Sequence, residues 1–439
     1  MEPRPKNIVI IGGGVIGSTT AYYLSRHPSF NPSIHHITIL EAASIAAGAS
    51  GKAGGLLGLW AYPQCLVPLS YRLHAELAAE YGGVDRWGYR KVGCGKITAT
   101  VTARDLNGSS PAPRRQSNGS VAVKQEDGQA KDWEKLPKQD AAATSLLHNS
   151  KLPSDLDWID GSLVKKYAEM GRFGFSETAQ VHPYQFTTAI ADLAREKGVH
   201  IRLNAKVTTI KMNATKSQVE GVEYLDRTSN ETKLLLGVTD IVVAAGPWTG
   251  RLVPSASVTG LRAHSVVFKA DVTPYAVFTD ISLPRDWIPP HRAAKGQKRQ
   301  HKGNVDPEVY ARPGGEAYAC GEPDPSAPLP ETADMVECDE AQCDDLIAYM
   351  GTVSPVLNSA KVSTKQACYL PRHMRSGEEV SPLVGKTSVA GLWIASGHTC
   401  WGIQNGPATG KLMSEFIFEG EAKSADISEL DPRIYQVGT

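Results

Sequence analysis

Residues 7–41 read NIVIIGGGVIGSTTAYYLSRHPSFNPSIHHITILE, and the fold follows from this stretch. An apolar run of strand type (Ile8, Val9, Ile10, Ile11) meets Gly12, Gly14 and Gly17 in GxGxxG spacing. A helical pattern follows from Val15 and Ile16, and a second apolar run closes on Glu41 and Ala42. Strand, glycine turn, helix, strand and terminal acid fall in order within the roughly 30 residues that one dinucleotide-binding βαβ unit needs. Gly12 permits the tight turn, Gly14 lets a pyrophosphate approach the backbone, and Gly17 lets helix and strand pack closely. The unpaired N–H groups and positive dipole end at the helix start then face phosphates. Glu41 sits where a carboxylate can accept hydrogen bonds from both hydroxyls of an adenosine ribose, a place from which a 2′-phosphate would be repelled.

At 439 residues the chain can bury roughly three quarters of its unfolded surface, enough for two or more cooperative domains. Its 46 basic and 46 acidic residues cancel, and no basic stripe interleaves with aromatics, so nucleic acid is not an expected partner and a small molecule is. The first strand starts within seven residues of Met1, leaving no room for a signal peptide, and no 18-residue apolar run could cross a bilayer. Seven scattered cysteines, an odd number, suggest free thiols in a reducing compartment, and Cys338 and Cys343 lack the second pair that a zinc site requires, so no metal is expected. The expected location is the cytoplasm.

After the βαβ unit, ASIAAGASGKAGGLLG (residues 43–58) is small and glycine-rich, which lets backbone approach something flat or large. A helix is expected over Ser70–Tyr81, then a strand KITATVTA ending near Arg104. Residues 105–140 are polar and aperiodic and read as a mobile surface insertion. Residues 183–196 form an amphipathic helix with Phe186, Ile190, Leu193 and Ala194 on one face. The strands VEGVEYL and KLLLGV form a meander, and TDIVVAAGPWTG returns a buried parallel strand to a glycine turn. Strands HSVVFKADV and EVYARPGGEAYACG follow, separated by a basic segment, 285–303, carrying Arg285, Arg292, Lys295, Lys298, Arg299 and Lys302 and read as a solvated loop. The C-terminal GLWIASGHTCWGIQNGPATG is strand, glycine turn and a helix from about Asn405. The expected architecture is α/β: a discontinuous Rossmann-like domain (1–95, 165–260 and 375–439) and a second, mostly antiparallel α+β substrate domain (96–164 and 261–374). A protein or membrane-surface partner could use the two polar insertions.

Three blocks, IVIIGGGVIGSTTAYYL with Glu41, VHP…GVHIRL…VTTI…VVAAGPWTG, and GLWIASGHTCWGIQNGPATG, resemble the D-amino acid oxidase superfamily of FAD enzymes, in the branch near glycine oxidase and sarcosine oxidase. ACYLPRH and YARPGGEAYACG are most similar to a fungal subgroup of FAD oxidoreductases, one member of which is linked to Golgi–endosome trafficking. The resemblance implies a glutathione reductase-type FAD-binding fold. It also implies that Gly12, Gly14, Val15, Ile16, Gly17, Glu41 and Ala42 hold the ADP half. Ser50, Gly51, Lys52, Ala53, Gly54, Gly55 and Leu56 would approach the pyrophosphate and flavin. Val207 would pair its backbone with adenine, beside Ala245, Gly246 and Trp248. Gly397, His398, Trp401, Gly402 and Ile403 would meet the flavin, with His398 and the N–H groups of Gly402 and Ile403 acting catalytically on the oxygen that turns negative on reduction.

Departures from the family pattern bear on function. The Arg that precedes a Pro and holds a substrate carboxylate is Leu370 here, leaving Arg262, Arg312 and Arg372 as candidate substrate ligands. The oxygen-activating Lys of a GLKxG strand is absent from AYACG, so oxidase and dehydrogenase both stay open. The CxY tether is shifted to Ala367, Cys368, Tyr369; a one-residue shift turns a strand side chain to the opposite face, so non-covalent FAD is expected, with Cys368 in the core. The implied chemistry is oxidation of a C–N bond in an amino acid or secondary amine by hydride transfer to flavin N5. The competing reading is an FAD protein acting through partners in endosomal or Golgi trafficking, with endosome association. An NAD dehydrogenase would not explain why the GPWTG and PATG segments return to the cofactor domain.

Overall fold

The computed structural model describes residues 4–106, 147–171, 177–301 and 303–438. The predicted 105–140 insertion therefore lies outside the described residues apart from its first two positions. Strand Lys6–Ile11 forms the centre of a six-stranded sheet because both its faces are apolar: it pairs in parallel with His35–Leu40 on one side and with Asp240–Val243 on the other. Leu392–Ser396 adds a further parallel strand beside Asp240–Val243, and His200–Arg202 lies outside His35–Leu40. The C-terminal third thus returns to the N-terminal unit, as its sequence pattern implied.

A nine-stranded, mostly antiparallel sheet stands beside this layer and includes Gly93–Thr100, Val258–Lys269, Tyr275–Ser282, Glu308–Arg312, Glu316–Asp324 and Lys361–Arg375. Strand Val164–Met170 pairs antiparallel with Gly93–Thr100 in this large sheet, which corrects the sequence-based boundary that put residues from 165 onward in the first layer. The expected meander is a separate antiparallel sheet of Ala205–Met212, Val219–Asp226 and Glu231–Leu236.

Two helices press on the parallel sheet more tightly than periodicity alone reveals. Every residue of Val15–Ser25 except Tyr23 is buried, because the Gly402–Glu419 helix covers its outer side. Their approach depends on Gly406 and Gly410: a Cβ on Gly410 would lie 2.5 Å from the Thr19 carbonyl carbon, and one on Gly406 2.8 Å from Val15 Cγ2. The Thr19 hydroxyl closes the contact, 2.8 Å from the Gly406 carbonyl.

Some boundaries differ from expectation for identifiable reasons. The last long helix starts at Gly402, three residues before the expected Asn405, and runs through Pro407. Proline offers no N–H to the Ile403 carbonyl four residues back, and the His74 imidazole donates to that oxygen from 2.9 Å instead. The strand expected to reach Arg104 ends at Thr100, and Ala103–Leu106 is a helical turn with Asp105 bonded back to Thr102. The helix expected from Ser70 starts at Val67, with Pro68 in its first turn. The basic 285–303 segment is not simply a solvated loop: Pro290–Ala293 is helical, and Arg292 forms a two-pronged pair with Asp345 at 2.5 and 2.7 Å.

Replacing Gly410 by valine forces the two helices apart and is expected to cost about 2–3 kcal/mol of stability. Urea unfolding followed by circular dichroism checks this.

Candidate active site

A cavity of about 450 Å³ runs between the parallel sheet, the glycine-rich loop and the face of the large sheet. Its first end is built by the βαβ unit. Gly12 has φ +111°, and a Cβ there would strike the Ala244 carbonyl oxygen at 2.4 Å, so only glycine makes this turn. Gly17 has a different cause: its Cβ would sit 1.9 Å from the Gly12 oxygen, so a side chain would separate helix from strand. Gly14 faces the cavity, and its only close neighbour in that direction is Ser50 Oγ, 3.0 Å from where a Cβ would be. Ser50 Oγ also accepts the Val15 N–H at 2.9 Å, tying the small-residue loop to the helix start.

Glu41 is fixed by the Gly13 N–H at 2.6 Å and the Ala43 N–H at 2.8 Å. Burial pushes its carboxyl upward, and those two donors pull it back toward the charged form. Each carboxylate oxygen keeps a further lone pair, which is what a ribose diol needs. Val207, Ala245, Gly246 and Trp248 line the same end. Trp248 is held by an Nε1 bond to Pro330 O at 2.7 Å. The two Lys or Arg residues among the described cavity-lining residues, Lys206 and Arg251, also lie here, and both pair with Glu331.

The middle of the cavity is lined by Ala53, Gly54, Gly55 and Leu56 on one side and by Gly397, His398, Trp401, Gly402 and Ile403 on the other. Gly402 and Ile403 are the first residues of an 18-residue helix with no acidic residue in its first turn, so its dipole favours negative charge at this point. His398 is buried, its Nε2 lies 3.1 Å from the Thr409 hydroxyl, and burial lowers its pKa to about 3. It is therefore a neutral positioning group at working pH rather than a proton carrier. The Trp401 Nε1–H is buried on this wall with no acceptor among the described residues.

Other expected residues are placed elsewhere. Gly51 does not line the cavity; a Cβ there would strike the Ala46 carbonyl oxygen at 2.2 Å, so its role is loop closure. Lys52 also turns away, donating to Ala367 O at 2.9 Å. Cys368 corrects a sequence-based expectation: with Leu370 it faces the cavity, because alternation along Lys361–Arg375 puts the even-numbered residues 368 and 370 on that side. Burial raises its thiol to about 11, with Lys52 acting in the opposite direction.

The arginine candidates are also corrected. Arg262 is committed to Asp324, at 2.5 and 3.1 Å, and to Glu337 O at 3.1 Å. Against the upward push of burial, bonds from Ser326 and Arg262 hold the Asp324 carboxyl far below its ordinary range. Arg312 donates to Ala53 O and lies 4.5 Å from the Tyr318 ring centroid, supporting the small-residue loop from behind. Arg372 is not on the cavity wall; its backbone bridges to His398, and its charge acts on Glu379.

The far end was largely missed in the sequence. It is an aromatic chamber of Trp60, Tyr62, Phe278, Tyr310, Tyr318 and Trp401, with Glu308, Cys320 and His264 among them. His264 Nε2 accepts the Asp339 N–H at 3.1 Å, which puts its proton on Nδ1, an atom with no partner among the described residues. The overlooked signal was alternation: Glu308, Tyr310 and Arg312 put three polar groups on one face of a strand whose other face, Val309 and Ala311, is buried and apolar.

A glycine turn at one end, a helix N-terminus in the middle and an aromatic chamber beyond suit a dinucleotide-dependent protein. Comparison with known proteins makes the class specific: residues 7–416 match the model of the FAD dependent oxidoreductase (DAO) family, and the chain belongs to that family. It is 36% identical to the Saccharomyces cerevisiae protein named "Putative oxidoreductase TDA3", over 98% of this chain and 95% of the relative. Among solved structures it superposes on glycine oxidase from Bacillus cereus with TM-score 0.63 and 18% identity, covering 99% of this chain and 98% of that one. L-proline dehydrogenase from P. horikoshii gives the same TM-score at 15% identity, with the same coverage. The cofactor is FAD, and the lining suits it: a side-chain-free turn, an acid at one end, and an unpaired indole N–H and helix N-terminus farther along.

The Gly14→Val protein is expected to fold yet carry less than about a tenth of the wild-type flavin, since a branched side chain enters the space beside Ser50. Its absorbance near 450 nm relative to 280 nm, with circular dichroism as the folding control, tests the assignment.

Proposed function

We propose that this protein oxidises the C–N bond of a small amine or amino acid. The observation that carries this reading is the continuous cavity, which passes from the nucleotide end along the Gly402 helix N-terminus into a chamber walled by aromatic rings. Bound FAD supplies the acceptor for two electrons. The substrate loses a hydride from its α-carbon and a proton from nitrogen, and the resulting imine adds water. Such chemistry needs orientation and exclusion of water more than acid or base groups. The aromatic walls exclude water, the neutral His398 holds the Gly397–Gly402 turn against Thr409, and the start of the Gly402–Glu419 helix favours the negative charge that accumulates on reduction.

The proposed catalytic contribution of Gly402 and Ile403 is thus electrostatic, and that of His398 is positional. Flavin held without a covalent bond is part of this reading, because a thiol raised to about 11 is almost wholly un-ionised at neutral pH and is a poor nucleophile. No helix among the described residues is long and apolar enough to cross a membrane.

Anaerobic titration with amines and amino acids should bleach the flavin band near 450 nm, and admitting air then separates oxidase from dehydrogenase by the speed of recovery. A flavin that no amine bleaches overturns the proposal. The reduction rate should rise with pH through the amine pKa, because the lone pair on nitrogen must be free. Acid precipitation should leave the yellow chromophore in the supernatant; retention on the pellet would show that Cys368 or another residue is bonded to it.

A further inference from the structure

The chamber beyond the cofactor loops has an unusual charge pattern for an amino-acid site. The Lys and Arg residues that line the described cavity are confined to its nucleotide end, and of the arginines in the large sheet Arg262 is turned onto Asp324, Arg312 onto Ala53 O, Arg372 lies near Glu379 and Arg375 is bonded to Ser255 O. The chamber itself holds a carboxyl. Glu308 lies deep in the protein, with part of its surface open to the cavity. It pairs across the sheet with Phe278 on one side and Cys320 on the other, so all three share the cavity face. Its Oε2 accepts the Tyr310 hydroxyl, and the one charge acting on it is Asp306, which is of the same sign.

Rings surround it. Trp60 meets Trp401 edge-on at 5.4 Å and Phe278 at 5.9 Å; Phe278 meets Tyr310 at 6.3 Å; and Tyr310 stacks on Tyr318 at 5.9 Å. A buried carboxylate without a cation is costly, and aromatic faces attract positive charge. Both deficits are met by one kind of guest.

We propose that this chamber takes a cationic amine that carries at least one N–H, its ammonium head held by Glu308 and the aromatic wall, that the Glu308 carboxylate takes one proton from that nitrogen so that its lone pair is free when the α-carbon gives up its hydride, and that the chamber is not built for the carboxylate of an α-amino acid. The proposal rests on the amine-oxidation reading and narrows its substrate class. The pairing explains why the Arg expected before Pro371 can be Leu370: there is no carboxylate for it to hold. Glu308 binds the cation and takes its proton in this account, and Tyr310 positions it.

The test uses the purified holoprotein and two redox-inert probes of similar size, benzyltrimethylammonium and 3-phenylpropionate, each titrated while the flavin absorption spectrum is recorded. The cation should perturb the spectrum with saturation and the anion should not. Glu308→Gln should weaken the cation at least about tenfold. Burial pushes the Glu308 carboxyl up to about 7, so affinity for this permanently charged probe should rise as pH increases through 7. The Cys94, Cys320 and Cys400 thiols near Glu308 are all raised by burial and stay neutral there, as does Tyr310, and the nearby imidazoles of His264 and His398 are lowered. Glu379, close to Tyr62 and Cys400, titrates in the same range, so the pH dependence should flatten in Glu308→Gln and persist in Glu379→Gln.

Binding of the anion but not the cation, or undiminished cation affinity in Glu308→Gln, overturns the proposal. If that variant does not retain flavin, the wild-type comparison of the two probes decides alone. A Glu308-dependent cation site on a flavin that no amine bleaches would defeat the oxidation reading and leave this one standing. Bleaching by amino acids, with no cation site, would do the reverse.

Discussion

The contact between Thr19 and Gly410 holds two helices closer than any pair with side chains on both faces could come. One of these helices begins at the glycine turn and the other at the middle of the cavity, so their separation sets the distance between the two N-termini that face the cavity. Gly17, pressed on the Gly12 oxygen, fixes the first helix to the central strand by the same means. Pro407 and His74 complete the arrangement. The proline allows the second helix to give up one internal bond, and a buried imidazole, lowered to about 4 by desolvation and so kept neutral, takes the exposed carbonyl. The cofactor site is thus a consequence of close packing, with few polar side chains engaged in holding it.

Charge is distributed along the cavity in a way that divides its tasks. Glu41 and the paired Lys206 and Arg251 occupy the nucleotide end, the helix dipole faces the middle, and the one buried acid of the chamber waits beyond. Arg262 and Arg312 are structural cations: one neutralises a nearly buried aspartate and the other braces the small-residue loop through a main-chain oxygen. A buried arginine needs partners of its own, and in both cases the partners found are within the protein.

Much of this was readable in advance. The βαβ unit, the Pro183–Glu196 helix, the meander and the return of the C-terminal strand are written in local periodicity, and each is present where expected. Local patterns also carried the glycine turn and Glu41, since the spacing within one unit fixes their neighbours. The family resemblance pointed to residues 50–56 of the small-residue loop and the Gly397–Ile403 turn, and both line the cavity apart from Gly51 and Lys52 of the loop. The start of the last helix was misplaced because a proline usually marks a helix beginning, and the compensating donor, His74, is 333 residues away from Pro407 in sequence.

What the sequence by itself determined is therefore the parallel layer, its nucleotide turn and the family that uses it, because those depend on residues within one or two elements of each other. What only the tertiary structure decided is the far end of the cavity. Trp60, Phe278, Glu308, Tyr310 and Trp401 come from four separate stretches, and the alternation at Glu308 and Tyr310 does not by itself say that the four meet. Whether Arg262 or Lys52 points at a ligand or at a main-chain oxygen is likewise settled by what stands opposite it. A side chain's partner is a property of long-range packing, and strand alternation states only which two faces are available.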